Sequence, residues 1–152
     1  MDKKERLKWY SKEFDKISDS IKNKACLSYL DFLRVRNFKL QNLSREEESH
    51  IKEITEQAFN LAEKDKIEES IKKLLELNGV AIPIASTILA MKFPNRYAII
   101  DRIVITQLGK KHNLKNYMAD TKIYKSYLLL IRELAKKNNM NLRDYERSLF
   151  EA

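Results

Sequence analysis

Apolar residues recur every three or four positions along most of this chain, and each such stretch predicts a helix. Leu7, Tyr10, Phe14, Ile17 and Ile21 form one stripe over residues 3–22. A second helix is predicted from Ala25 to about Phe38, with Leu27, Leu30, Leu33 and Phe38 inward. Ser44-Arg45-Glu46-Glu47 reads as a capping box, which would start a helix through Ile51, Ile54, Ala58 and Leu61. Glu68 to Leu77 predicts another helix, with Ile71, Leu74 and Leu75 inward. Further on, residues 121–137 carry Ile123, Tyr127, Leu128, Ile131 and Leu134 at helical spacing. Asn141 opens a last short helix that docks Tyr145, Leu149 and Phe150, and no chemistry is assigned to it.

The middle of the chain departs from this regular pattern. Leu77-Asn78-Gly79-Val80-Ala81-Ile82-Pro83 holds one of only two glycines and one of only two prolines. Asn78-Gly79 offers a left-handed position that ends the preceding helix, and Pro83 suits the first turn of the next. That next helix, Ile84 to about Phe93, is small and apolar on every face, so burial on most sides is expected. Pro94-Asn95-Arg96 is a turn, Tyr97 to Ile100 a short apolar run, and Asp101 a cap for a helix to Leu108 or Gly109.

Composition narrows the class. Sheets joined by tight turns need more Gly and Pro than this chain has, so the fold class is all-α. At 152 residues with no linker, repeat or low-complexity stretch, one compact helical domain, residues 1–152, is expected. No apolar run approaches the roughly 20 residues of a membrane span. The start, Met1-Asp2-Lys3-Lys4-Glu5, lacks a signal peptide's apolar stretch, so a cytoplasmic monomer without membrane contact is expected. A lone Cys26 excludes an internal disulfide and a cysteine-only zinc or iron–sulfur site. His50 and His112 have no ligand spacing, so neither a metal nor a cofactor is expected.

The net charge is +8, with the basic excess in the first forty residues and after residue 80, and an acidic excess between. That asymmetry points to a face for a polyanion, although solvated lysine-rich helix faces produce the same count. A tight turn with Gly at its apex also turns backbone amides outward, where they can meet a phosphate oxygen. Gly79 allows the turn, Val80 plugs it into the core, and Ala81 follows; an ordinary helix connection would use the same residues.

From Leu77 to Val104, about a fifth of the chain, the sequence resembles the helix-hairpin-helix DNA glycosylase superfamily, of the endonuclease III and adenine-mismatch glycosylase kind. The resemblance lies in Leu77-Asn78-Gly79-Val80, the Ala-rich stretch Ala85 to Ala90, and Ile99-Ile100-Asp101, spaced without a gap. Phe93 and Val104 fall on apolar positions of the same pattern. It implies a helix-hairpin-helix element near 68–93, DNA as partner, and Asp101 as the catalytic carboxylate acting on the sugar of a damaged or mispaired base. The position where strand-cleaving members carry a nucleophilic Lys is Pro83, so the resemblance implies a monofunctional hydrolase. Departures are Ala81 in place of a second hairpin glycine and the absence of a four-cysteine cluster.

Asp101 therefore has two readings, a plain helix cap worth about 1 kcal/mol and a catalytic anion, and one residue can serve both. Arg96, Arg102, Lys110, Lys111 and Lys115 would suit a phosphate-tracking rim. Trp9, Tyr10, Tyr29 and Phe32 are stacking candidates for an extruded base, although aromatics at helical spacing are more often core. Lys92 reads as solvated. Two alternatives to base excision stay open: a non-catalytic module binding DNA without sequence preference, and a helical protein-interaction domain.

Overall fold

The local chemistry of each helix start decides where the elements fall. In the computed structural model, which describes residues 2–39, 45–108, 114 and 116–151, eight helices and no strand are found among the described residues. They are α1 (Lys3–Ile21), α2 (Tyr29–Phe38), α3 (Glu48–Glu63), α4 (Ile67–Leu74), α5 (Ile82–Lys92), α6 (Arg102–Leu108), α7 (Thr121–Lys137) and α8 (Leu142–Glu151). The all-α expectation holds, and the bounds of α1 and α7 follow their apolar periodicity closely.

α1 begins with a capping box: Asp2 Oδ1 accepts from the Glu5 amide at 2.8 Å, and Glu5 Oε2 accepts from the Asp2 amide at 3.3 Å. α2 starts four residues later than periodicity suggested, because Ser28 and Asp31 form a second box (3.1 and 3.0 Å). Leu30 is 67% exposed, while Phe32, Val35 and Phe38 enter the core. The box expected at Ser44 is not what starts α3. Ser44 lies outside the described residues, and α3 begins at Glu48 with Glu47 as a cap lacking a side-chain bond. Glu46 instead reaches the Asn78 amide at 2.9 Å and His50 Nδ1 at 2.8 Å.

α5 is the centre of the packing. Of its residues only Pro83 and Lys92 escape full burial, and α1, α2, α3 and α4 all pack against it. Its apolar composition on every face is the reason: any exposed side would leave Ile or Leu in water, at about 1.5–3 kcal/mol per side chain. Its two hydroxyls bond back to the Pro83 carbonyl, Ser86 at 3.0 Å and Thr87 at 2.8 Å. Ser18 on α1 donates to the Met91 carbonyl at 2.6 Å and fixes α1 across the far end of α5. Lys92 is not simply solvated: its ammonium donates to the Lys22 carbonyl at 2.6 Å and lies over the rings of Phe59 and Phe93. None of the helices described is long and apolar enough to cross a membrane.

The turn between α4 and α5 bends at Gly79, whose φ of 73° lies in the left-handed region. Val80 is buried and its amide donates to the Leu77 carbonyl at 3.2 Å. Arg36, itself 2% exposed, donates to the Asn78 carbonyl at 2.9 Å, and the Asn78 side chain donates to the Arg45 carbonyl at 3.1 Å. α2 and the chain before α3 thus brace the turn from outside. Gly79→Ala should lower stability by about 1–2 kcal/mol, the cost of a Cβ in left-handed backbone. Urea denaturation of the two proteins measures it, and equal midpoints would mean that the turn relaxes to another conformation.

Candidate functional site

Between α5 and α6 the chain runs without regular structure through Tyr97, Ala98, Ile99 and Ile100, every one of them wholly buried. Such a segment brings backbone N–H and C=O groups into the interior with no helix to satisfy them. Side chains from three helices supply the partners. Ser86 of α5 accepts from the Ile100 amide at 3.1 Å, and Glu146 of α8 accepts from the Ile99 amide at 2.6 Å. From α7, the Tyr124 hydroxyl donates to the Ala98 carbonyl at 2.9 Å and the Tyr127 hydroxyl to the Ile99 carbonyl at 2.7 Å. The segment ends at Asp101.

Asp101 is 8% exposed, and each of its oxygens is engaged. Oδ1 accepts from the Ile103 and Val104 amides, both at 3.1 Å, and so caps α6. Oδ2 faces Lys39 Nζ at 3.2 Å, with both side chains largely shielded from water. Lys39 is the C-cap residue of α2, one helical turn beyond the Arg36 that braces Asn78. One helix end therefore contacts both the Gly79 turn and the candidate carboxylate.

Tyr10 stands beside this pair. Its ring lies 4.3 Å from Phe38 and 5.6 Å from Phe150 between centroids. Burial, then the negative charges of Asp101 and Glu146, push its phenol far above the usual range, so it remains a neutral donor. Tyr10 and Ile103, with Lys3, Arg6, Leu7 and Phe150, line a cleft of about 380 Å³. Ile103 is also the residue whose amide donates to Asp101 Oδ1, so the cleft wall and the cap of α6 share this residue.

Glu146 is the residue that pattern reading missed. It is 1% exposed, bonded to Ile99 and to Arg143 Nη1 at 2.9 Å. Burial raises its pKa to about 7, with Arg143 and the Ile99 amide acting against the rise and Asp101 adding to it. Arg143 in turn lies 3.7 Å over the Phe14 ring and 3.6 Å from Asp15, which also pairs with Arg147. The signal for Glu146 was present: it sits four residues after Leu142 and four before Phe150, on the apolar stripe.

The other expected residues disperse. Arg96 donates to the Ala62 and Glu63 carbonyls at 3.1 and 2.8 Å and stacks on Phe93, so it closes the end of α3 rather than lining a rim. Arg102 is exposed beside Asp101. Lys110, Lys111 and Lys115, with His112, lie outside the described residues. Phe32 is 2% exposed under the Arg36 guanidinium and has no free ring face, which corrects its reading as a stacking surface. Trp9 is 49% exposed over a separate cleft with Arg34 and Phe38. Tyr29 lies by Arg45, Glu46 and Asn78. Ala81 is the N-cap of α5 and offers no side-chain bond. Among the described residues, no three His, Cys, Asp or Glu side chains gather to hold a metal ion.

The Gly79 turn is electrostatically unlike a phosphate cradle. The Asn78 amide is already taken by a carboxylate, and Glu47 and Glu48 follow Glu46 in sequence. Burial opposes the charge on Glu46, yet the Asn78 amide and His50 hold its pKa below the usual value. The chain matches no protein-family model, no curated protein and no solved structure.

Glu146 also sets a pH dependence. Its raised pKa means that the folded chain binds this proton more tightly than the unfolded chain does. Stability therefore falls as pH rises from the ordinary Glu value toward about 7. Glu146→Gln keeps an acceptor for the Ile99 amide and removes the charge. It should flatten the decline in Tm between pH 5 and pH 8; an unchanged decline would assign the dependence to other groups.

Proposed function

We propose that this chain acts on DNA as a monofunctional base-excision hydrolase, cleaving the N-glycosidic bond of a damaged or mispaired base with Asp101 as the essential anion. The observation that carries this reading is the setting of Asp101. It is a carboxylate held by two helix amides and one ammonium, and one of those amides belongs to Ile103, which lines a cleft with aromatic and basic walls. The resemblance of residues 77–104 to helix-hairpin-helix glycosylases, with Asp101 at the corresponding position, supports it.

Breaking the bond between base and deoxyribose leaves positive, oxocarbenium-like charge on the sugar as the base departs with the electron pair. A fixed carboxylate beside the sugar stabilises that charge without having to reorganise. The proton lost by the attacking water needs an acceptor, and in this reading Asp101 Oδ2, the oxygen outside the helix cap, takes it. Lys39 holds that oxygen in place. The base must leave the stack first, at a cost of a few kcal/mol that is smallest for mispaired or damaged bases.

One observation favours a second reading. Asp101 is already complete as a cap and ion-pair partner, which is all that a non-catalytic DNA-binding module would ask of it. Asp101→Asn separates the two, because Asn retains an oxygen for the cap and loses the charge. Duplexes carrying deaminated, oxidised or alkylated bases are incubated with each protein, and abasic sites are revealed with hot alkali. The wild type should release one class of base with the strand intact, and the variant should be at least about 100-fold slower while keeping the wild-type circular-dichroism spectrum. Undiminished release by the variant would remove Asp101 from the chemistry.

A further inference from the structure

The first two turns of α1 carry Lys3, Lys4, Arg6 and Lys8, all exposed. None forms an ion pair with a described residue; the same is true of Lys122 and Lys136 on α7, and what distinguishes the α1 set is its position beside clefts. The two acidic side chains in the same stretch, Asp2 and Glu5, are turned onto each other's backbone amides by the capping box. That box also occupies amides at the helix start, so any anion here is met by side chains rather than by the helix end.

These cations border two clefts that share Lys3 and Leu7. One, of about 440 Å³, is lined by Lys3, Lys4, Leu7 and Lys8. The other is the cleft of about 380 Å³ that passes over Tyr10, Ile103 and Phe150 to the Asp101 end of α6. Together they make one furrow with a basic rim and an apolar, partly aromatic floor. Cations three and four residues apart on a helix lie about 5–6 Å apart between Cβ atoms, so they present a row of positive charge along the furrow.

We propose that this furrow, rather than the Gly79 turn, is where a DNA strand lies. Its phosphates rest on Lys3, Lys4, Arg6 and Lys8, and a sugar and base pass over Leu7, Tyr10, Ile103 and Phe150 toward Asp101. The proposal rests on the reading of the chain as a DNA-acting protein. Charge complementarity selects the occupant, since a polyanion with flat apolar faces satisfies both rim and floor. The contrast with the turn strengthens it, because a carboxylate already holds the Asn78 amide there.

The test is an anisotropy titration of the full chain with a short labelled duplex containing one uncleavable abasic-site analogue, at several salt concentrations. Lys3→Glu/Arg6→Glu is compared with Lys122→Glu/Lys136→Glu, which makes the same charge change at exposed positions on α7. The α1 variant should lose about tenfold or more in affinity, and its log–log salt slope should be shallower by about 2, near 0.9 per lost phosphate contact. The α7 variant should lose less than about threefold and keep the wild-type slope. Equal losses in both variants, or none in the α1 variant, would overturn the furrow as the contact. Wild-type binding to phosphatidylserine vesicles but not to the duplex would overturn it in favour of a membrane surface. Base release plays no part in this titration. A wild type that binds through α1 and releases no base fails the hydrolase reading alone, while one that releases base with the α1 variant binding unchanged fails this proposal alone.

Discussion

The structure turns on a need for hydrogen bonds. Residues 97–100 are buried in irregular conformation, and their backbone groups have to be met by side chains. A buried amide or carbonyl left without a partner costs about 1–3 kcal/mol, more than a typical bond contributes when it is made. Four such groups are answered by Ser86, Tyr124, Tyr127 and Glu146, which lie on three different helices. The positions of α7 and α8 against the rest follow from that requirement as much as from apolar contact. The same arrangement holds Asp101 at the edge of the interior, where it can cap α6 and pair with Lys39.

The formal charge of +8 is organised rather than spread evenly. Around the Gly79 turn the structure gathers acid, with Glu46 bonded to the turn's own amide. Along the start of α1 it sets exposed cations that have no carboxylate partner among the described residues, beside two clefts that share Lys3 and Leu7. In between, Lys39 and Asp101 neutralise each other, and Arg143 pairs with Glu146 and Asp15. Cations tied down in this way contribute little to attracting a distant anion, and the exposed cations at the start of α1 add to the attraction that remains.

How much of this was legible in the sequence depended on the range of the interaction involved. α1 and α7 could be read within a residue or so because their apolar periodicity is strong and their termini are set locally. Periodicity starts α2 four residues early because Ala25 and Leu27 extend the apolar pattern back through a loop, and it is the Ser28–Asp31 box that sets the true start. The cap made by Asp101 was legible, since it needs only the next three residues. Its ion pair with Lys39, sixty-two residues away, was not. Arg96 shows the same limit: its charge and place in a turn suggested an exposed contact, and only the fold reveals the carbonyls of α3 that occupy it. Glu146 is the opposite case, a polar residue in an apolar register that pattern reading could have marked as buried.

The recognition of residues 98–100 goes through main-chain atoms, and this divides the burden of conservation unevenly. Ala98, Ile99 and Ile100 are replaceable by other apolar side chains of similar volume, because their polar contacts are made by their main-chain atoms. Ser86, Tyr124, Tyr127 and Glu146 are held to particular donors and acceptors at particular reach. The fingerprint by which a distant homologue of this chain would be recognised is therefore discontinuous: a hydroxyl, two phenols and a carboxyl scattered over sixty residues, around an apolar stretch whose own letters are free to drift.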